Sequence, residues 1–440
     1  MTRFTYPGPS VFGYETDAPL RRVASVSVHT SPLATLGGKD AGGMNVYVRE
    51  LARHLAQSNL PVDIFTRRSD TTTPETIQID PGVNLISVPA GPPEKLDKNL
   101  IFPFLPEFAA QCALYSLRQG VRYDVVHSHY WLSGWAAHLL RRYWDTPFVH
   151  MFHTTAHMKN AVAGVTDREP RIRGDYERGL IGLADSLIAA NPDERADLIW
   201  RQRAAADKIC TVPPGVDLTL FQPMPREVAR AALGIDPGEA TIAFVGRVDP
   251  IKGVEVLLKA LRQLSDVLPA RPRLLFVGGD VDKLGEPTGP LASVAALAED
   301  LDLRDRVLFA GSQPQDRLPV YYCAADVVAV PSRYESFGLV AVEAMACGTP
   351  VVASRVGGLK FTVEEGVSGL LVPPGDVEAL AENLAYVLSD TDLRSRLSAG
   401  ALVSARPFAW QAVALAIHHI YQRLAEGHRA NLCCDEEIYA

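Results

Sequence analysis

The chain has 440 residues, 47% of them hydrophobic, enough for a large core and, by length, for two or three domains. Its formal net charge is −8 with acids and bases interspersed, which excludes the basic footprint of a nucleic-acid binder. Apolar runs are broken by charge before the ~18 residues a membrane span requires, and the opening MTRFTYPGPSVFGYE lacks the apolar core of a signal peptide.

Residues 1–20 read as an irregular lead-in. Residues 22–28 (RVASVSV) alternate like a strand, and 29–45 (HTSPLATLGGKDAGGMN) read as a glycine-rich loop without period. Apolar positions at 46, 48, 51, 52 and 55 predict a helix, and 62–66 (VDIFT) predicts the next strand. Strand, glycine loop, helix, strand is a βαβ unit. The loop is not G-x-G-x-x-G, and the chain holds no G-x-x-x-x-G-K-[ST], so NAD-type and P-loop chemistry are both disfavoured. Strands at 83–89, 124–127, 147–154, 184–191 and 208–217, with helices near 104–120 and 169–183, complete one doubly wound domain.

Residues 213–223 (PPGVDLTLFQP) carry proline and glycine without period and read as a linker. The same grammar then restarts, with strands at 241–248, 273–279 and 306–311 and helices near 253–265, 290–300 and 316–324. The last helix, 410–424, is strongly apolar. Two such domains face each other across a cleft at the carboxyl ends of their sheets. The six cysteines, at 112, 210, 323, 347, 433 and 434, show no C-x-x-C spacing, and reduced thiols in a cytoplasmic enzyme are the expectation.

The densest chemistry lies at 327–359 (VVAVPSRYESFGLVAVEAMACGTPVVASRVGGL), a strand, loop, helix, strand unit. Glu335 falls on the loop at the helix mouth and Glu343 about two turns further on. A helix N-terminus suits a diphosphate, and a carboxylate suits the vicinal hydroxyls of a sugar. The stretch therefore reads as a seat for a phosphate flanked by sugars. Arg247 and Lys252, in FVGRVDPIKG, follow a strand and suit a pyrophosphate whose charge grows as it leaves. Gly42, Gly43 and Asn45 lie in the first loop, where backbone N–H groups can face a phosphate or sugar. His127, His129, His153 and His157 stand at strand ends; no third ligand accompanies them, so no metal site is expected. Lys98, Tyr130, Thr154 and Arg173 fall on first-domain loops or helix starts, and a Lys and an Arg converging with hydroxyls would bind a phosphorylated acceptor.

FVGRVDPIKG, PSRYESFGLVAVEAMACGTPVVAS and EGVSGLLVPPGD together resemble the donor half of family 4 retaining glycosyltransferases of GT-B fold. DAGGMNVYVRELARHL, DVVHSHYWLSG and the HT at 153–154 resemble a narrower group, the inositol-phosphate glycosyltransferases and, more distantly, the sucrose-phosphate synthases. The resemblance spans about residues 22–425. It implies an α/β architecture of two Rossmann-like domains, 1–217 binding the acceptor and 218–410 the nucleotide sugar, with 411–440 crossing back onto the first. It implies that Arg247 and Lys252 bind the donor diphosphate, Glu343 the ribose, and Glu335 the transferred hexose beside Phe337, Gly338 and Leu339. Gly43 would contact the diphosphate, and His153 would stand near the sugar's 6-hydroxyl and the reacting centre. Asn45 would touch the acceptor ring, and Lys98, Tyr130, Thr154 and Arg173 would grip its phosphate.

The donors so implied are UDP-glucose, UDP-N-acetylglucosamine or ADP-glucose. The acceptor is fructose 6-phosphate or an inositol phosphate. No cofactor is required, Mg2+ is at most non-essential, and a homodimer is left open. The first loop, Asp40-A-G-G-M-N, departs from the D-T-G-G-Q of sucrose-phosphate synthases and favours the inositol-phosphate group. A nucleotide-sugar epimerase on the same scaffold is the alternative; it would leave Lys98 and Arg173 idle.

Overall fold

The computed structural model describes residues 20–33, 43–161, 169–269, 271–430 and 432–433. The first sheet holds β1 Val23–Val26, β2 Val62–Arg67, β3 Thr76–Asp80, β4 Val83–Val88, β5 Val125–His129, β6 Phe148–Met151, β7 Ser186–Ala189 and β8 Ile209–Thr211. Their order is β3-β4-β2-β1-β5-β6-β7-β8. All pairs are parallel except β3 with β4. β3, a partly exposed edge strand, is absent from the sequence reading.

In the second half come β9 Thr241–Val245, β10 Arg273–Val277, a small ribbon of β11 Asp280–Val281 with β12 Pro287–Thr288, β13 Val307–Gly311, β14 Val327–Val330, β15 Val351–Ser354 and β16 Gly369–Val372. The second sheet runs β13-β10-β9-β14-β15-β16, parallel throughout. Strands such as VASV, VVAV and VVAS are buried along their whole length, as a sheet covered on both faces by helices requires.

The first half carries helices α1 Gly43–Gln57, α2 Leu105–Gln119, α3 Tyr130–Trp144, α4 Ala156–Asn160, α5 Arg171–Leu183 and α6 Pro192–Trp200. The second carries α7 Arg226–Leu233, α8 Val254–Val267, α9 Pro290–Asp300, α10 Leu318–Ala324, α11 Leu339–Ala346, α12 Leu359–Thr362, α13 Val377–Ser389 and α14 Thr391–Ala405. The last helix, α15 Trp410–Ala425, returns to the first half, where Trp410 meets Tyr47 of α1 edge-on and Tyr421 bonds His127 of β5 at 2.6 Å. No helix among the described residues is long and apolar enough to cross a membrane.

Two sequence expectations are corrected here. Helix α1 begins at Gly43, so Gly43 and Asn45 belong to its first turn rather than to a loop, and Gly42 lies outside the described residues. The thiols are not all reduced: Cys210, in β8, is joined to Cys433 with Cα atoms 5.2 Å apart. These residues are 223 positions apart in the chain, so no local spacing could announce the pairing. Cys112, Cys323 and Cys347 are buried free thiols.

Strand order fixes where ligands can sit. In the first sheet the order reverses beside β1, between β2 and β5; in the second it reverses beside β9, between β10 and β14. A crevice opens at such switch points outside the carboxyl ends of the strands. The segments leaving β1, β5, β9 and β14 there carry Gly43, Tyr130, Arg247 with Lys252, and Glu335 with its neighbours.

Candidate active site

The second-half wall is built from two loops held close by glycine. Gly253 takes φ +68°, and a Cβ there would stand 2.0 Å from the carbonyl oxygen of Pro331. Gly357 takes φ +43°, and its Cβ would meet the carbonyl of Glu335 equally closely. No L side chain satisfies both demands, so the KG and VGG of the sequence are what let the β9 and β15 loops close on the Glu335 loop. In this frame the Lys252 Nζ reaches the Glu335 Oε2 at 2.6 Å, with both side chains about four-fifths shielded. Ser332 Oγ approaches the same carboxylate oxygen at 3.4 Å. The Arg247 guanidinium lies 3.7 Å from Asp249 and keeps over a third of its surface exposed.

Gly338, at φ +98°, is the N-cap of α11 and offers no side-chain cap, and the helix's first turn holds no acid. Its first turn therefore offers N–H groups and a positive dipole end to an anion. Leu339 opens the helix, and Phe337 is buried against Phe408. Glu343, one turn in, turns inward, where its Oε2 accepts a 2.7 Å hydrogen bond from the buried Tyr322 hydroxyl. Burial pushes the Glu343 carboxyl up to about 7 although the Tyr322 bond opposes the shift. Glu335 and Glu343 are thus in different settings, one ion-paired and partly open, the other buried on the Tyr322 hydroxyl with 7% of its surface left exposed.

Across the crevice, α1 has no acid in its first turn. A Cβ on Gly43 would lie 3.0 Å from Leu339, so the starts of α1 and α11 meet. Asn191 donates to the Ser336 carbonyl at 2.5 Å, and the Tyr334 hydroxyl stands 3.6 Å from Met158 of α4. Asn45 is buried, and its amide nitrogen donates to Thr30 and Ser31, pinning the segment that leaves β1.

His153 lies two residues past β6. It takes φ +59°, and Tyr130 takes φ +73°; among the described residues these are the only aromatic side chains in the left-handed region. Such conformations are costly for side-chain-bearing residues and gather at functional sites. His153 Nε2 lies 3.1 Å from His129 Nδ1, and Tyr47 packs edge-on against both rings. Part of the His153 surface stays open, yet the surrounding protein pushes its imidazole down to about 3, so it is neutral at pH 7. His127 and His129 are buried and driven well below the ordinary value for the same reason. His157 stands apart, against Arg201 and Asp197. Among the described residues no group of three or more His, Cys, Asp or Glu side chains is placed to hold a metal ion.

The four residues expected to grip a phosphate do come together. Arg173 lies 4.6 Å above the Tyr130 ring and Lys98 6.0 Å from it. Arg173 donates to the Thr154 carbonyl at 2.6 Å, so Thr154 contributes its backbone oxygen to this contact. The Tyr130 hydroxyl and the His29 Nδ1 are buried, and neither finds a hydrogen-bonding partner among the described residues.

Two members of the cluster escaped the sequence reading, Lys159 and Glu169. The Glu169 Oε1 receives Lys159 at 2.8 Å, Arg173 at 3.0 Å and Lys98 at 3.3 Å. Burial works against ionisation of Glu169, but the charges of Arg173, Lys98 and Lys159 outweigh it and bring the carboxyl down to about 2. The readable signal was the i, i+4 ladder of Glu169, Arg173 and Glu177, whose second rung closes at 2.7 Å.

Residues 41–220 match the family described as Glycosyltransferase Family 4, and residues 225–402 match Glycosyl transferases group 1. The D-inositol 3-phosphate glycosyltransferase of Xylanimonas cellulosilytica is 44% identical over 91% of this chain and 96% of its own length. That of Corynebacterium jeikeium is 42% identical over 93% and 98%. The solved sucrose-phosphate synthase from Thermosynechococcus elongatus superposes with a TM-score of 0.84 at 37% identity, over 93% of this chain and all of that one. The chain belongs to the family 4 glycosyltransferases of GT-B fold.

Proposed function

We propose that this enzyme moves a hexosyl group from a UDP-sugar to a hydroxyl of an inositol phosphate, with retention at the anomeric carbon. The observation that carries the reading is the convergence of Lys98, Lys159 and Arg173 on one anionic oxygen beside the unpartnered Tyr130 hydroxyl, on the far side of the crevice from Lys252 and the start of α11. One wall suits a phosphate monoester and the other a diphosphate. The names of the 44% and 42% identical relatives support the inositol phosphate.

The donor diphosphate lies against Lys252, Arg247, the start of α11 and Gly43, while Glu343 takes the ribose hydroxyls. Glu335 accepts from the hexose hydroxyls, and neutral His153 bonds the 6-hydroxyl. The acceptor hydroxyl attacks from the face the diphosphate leaves. Its oxygen bonds to the anomeric carbon, the bond from that carbon to the diphosphate breaks, and the hydroxyl proton passes to the departing diphosphate oxygen. Lys252 and Arg247 stabilise the charge that builds on the leaving group, and the protein supplies position rather than a carboxylate nucleophile. Those cations meet the leaving charge themselves, so Mg2+ is not required.

Fructose 6-phosphate is the second acceptor reading, favoured by the 37% identical sucrose-phosphate synthase. UDP release is to be measured from UDP-N-acetylglucosamine and UDP-glucose, each with D-inositol 3-phosphate and with fructose 6-phosphate. Faster release with the inositol phosphate is expected. Preference for fructose 6-phosphate replaces the first reading with the second, and stimulation by neither sinks both.

A further inference from the structure

The acceptor wall already holds an anion, and the anion is part of the chain. Three cations from three separate elements, Lys98 before α2, Lys159 in α4 and Arg173 in α5, end on the same carboxylate oxygen of Glu169. The Glu169 side chain is only 4% exposed. Its backbone is fixed by a reciprocal pair, its N–H donating to the Asn160 Oδ1 at 2.8 Å and its carbonyl accepting from the Asn160 amide at 3.0 Å. The carboxylate is therefore delivered to this place by a clamped backbone.

The charges in the cluster do not balance with Glu169 in place. Among the described residues Lys98, Lys159 and Arg173 are positive and Glu169 and Glu177 negative, one positive charge in excess. With the Glu169 carboxylate withdrawn, the excess is two, the charge a phosphate monoester dianion brings. Glu177 is committed elsewhere, with one oxygen on Arg173 at 2.7 Å and the other accepting from the Ala156 N–H at 2.8 Å. The two orphaned polar atoms, Tyr130 hydroxyl and His29 Nδ1, are further groups that a carboxylate on Lys159 leaves unserved. A monoanion with two oxygens under-fills this seat; a dianion with three terminal oxygens fits it.

We propose that Glu169 is a stand-in ligand: its carboxylate occupies the acceptor-phosphate seat of Lys98, Lys159 and Arg173, and an acceptor enters by displacing it with a phosphate monoester dianion. Glu169 is then a specificity-determining residue. A neutral polyol cannot replace a carboxylate that three cations hold, because leaving those cations unpaired in a shielded site is costly. A dianion can, since it makes more charge-assisted hydrogen bonds than the carboxylate it removes. The proposal rests on the reading of this wall as the acceptor-phosphate site, and its test separates the two.

The test uses the full-length protein and its Glu169→Gln and Glu169→Asp variants, with inorganic phosphate as the probe, titrated by calorimetry. Gln removes the charge and Asp withdraws it by one methylene. Both variants are expected to bind phosphate tighter than the parent by roughly tenfold, the scale of one charge-assisted hydrogen bond. The KM for the phosphorylated acceptor is expected to fall in parallel. Weaker or unchanged phosphate binding in a folded variant overturns the proposal and makes Glu169 an organiser of the three cations instead. If phosphate binds tighter in the variants but no phosphorylated acceptor is used, the displacement stands and the acceptor reading fails.

Discussion

The two walls of the crevice both present cations already paired with a carboxylate, but in opposite styles. On the second-half wall, the donor side of the proposed reaction, one lysine meets one glutamate in a partly open setting, Lys252 with Glu335. On the first-half wall, the acceptor side of the proposed reaction, three cations crowd one oxygen of a shielded glutamate. In the proposed reaction the donor pair opens into two complementary contacts, because a sugar diphosphate carries both an anion for Lys252 and hydroxyls for Glu335. The acceptor cluster offers concentrated positive charge, with the Tyr130 hydroxyl and the His29 Nδ1 beside it. A buried pair deprived of one partner is strongly destabilising, whereas a half-open pair tolerates exchange. In that reading both walls exchange a carboxylate for a ligand, the half-open donor pair readily and the shielded acceptor cluster only for a partner of higher charge.

The sharpest way to break this contrast is Lys252→Ala. It is expected to lower kcat by roughly 10²–10³, the scale of removing one preorganised donor to developing charge; near-parental turnover would remove Lys252 from the diphosphate. Next comes Lys98→Met. We expect kcat/KM with the phosphorylated acceptor to fall about tenfold or more, while hydrolysis of the donor without acceptor falls less. Equal loss in both assays would erase the division between the walls.

The two buried glutamates sharpen the contrast through pH. Glu343 titrates near 7, above its ordinary 4.5, because burial disfavours its charge. Its contribution to stability is complete below the ordinary value and is lost as pH rises toward 7. Glu343→Gln should therefore lose less Tm than the parent between pH 5 and pH 8. Glu169 runs the other way: held at about 2 by its cations, it contributes above 4.5, and that contribution is lost as pH falls toward 2. Identical pH–Tm curves for parent and Glu343→Gln would remove the buried, neutral carboxyl from the account. The smallest effect concerns the tie at the far edge of the first sheet: Cys210→Ser should lower Tm by a few degrees, on the usual scale of a lost disulfide, without altering the acceptor preference. An unchanged Tm would mean that the tie contributes nothing.

What the sequence made legible followed how locally each feature is encoded. The strands of both sheets stand out because a doubly covered parallel strand is an unbroken apolar run; β3 did not, being a partly exposed edge. Lys252, Glu335 and the α11 start lie in segments whose glycines and acids follow one another within a few residues. The start of α1 at Gly43 was misread because glycines in a first turn look like loop, although a helix N-terminus accepts them readily. The convergence on Glu169 could not be read from spacing, since it joins residues 71, 10 and 4 positions distant through the fold. Its i, i+4 half was visible; its link to Lys98 was not. The Cys210–Cys433 pair is the extreme of the same limit.

The chain passes between its halves twice, and the two passes are sewn to each other. The Val216 N–H donates to the Phe408 carbonyl at 2.7 Å, and the Trp410 N–H returns to the Val216 carbonyl at 3.3 Å. Beside them, Gly215 lies so close to the Trp410 ring that a Cβ would stand 2.5 Å from it. One thread between two bodies permits twisting in any direction, whereas two threads stitched side by side make a crease. Two passes tied side by side restrict the twisting of one half against the other that a single thread would allow. Gly215→Val should push the Trp410 ring out of this seam and lower Tm, because any side chain there meets that ring.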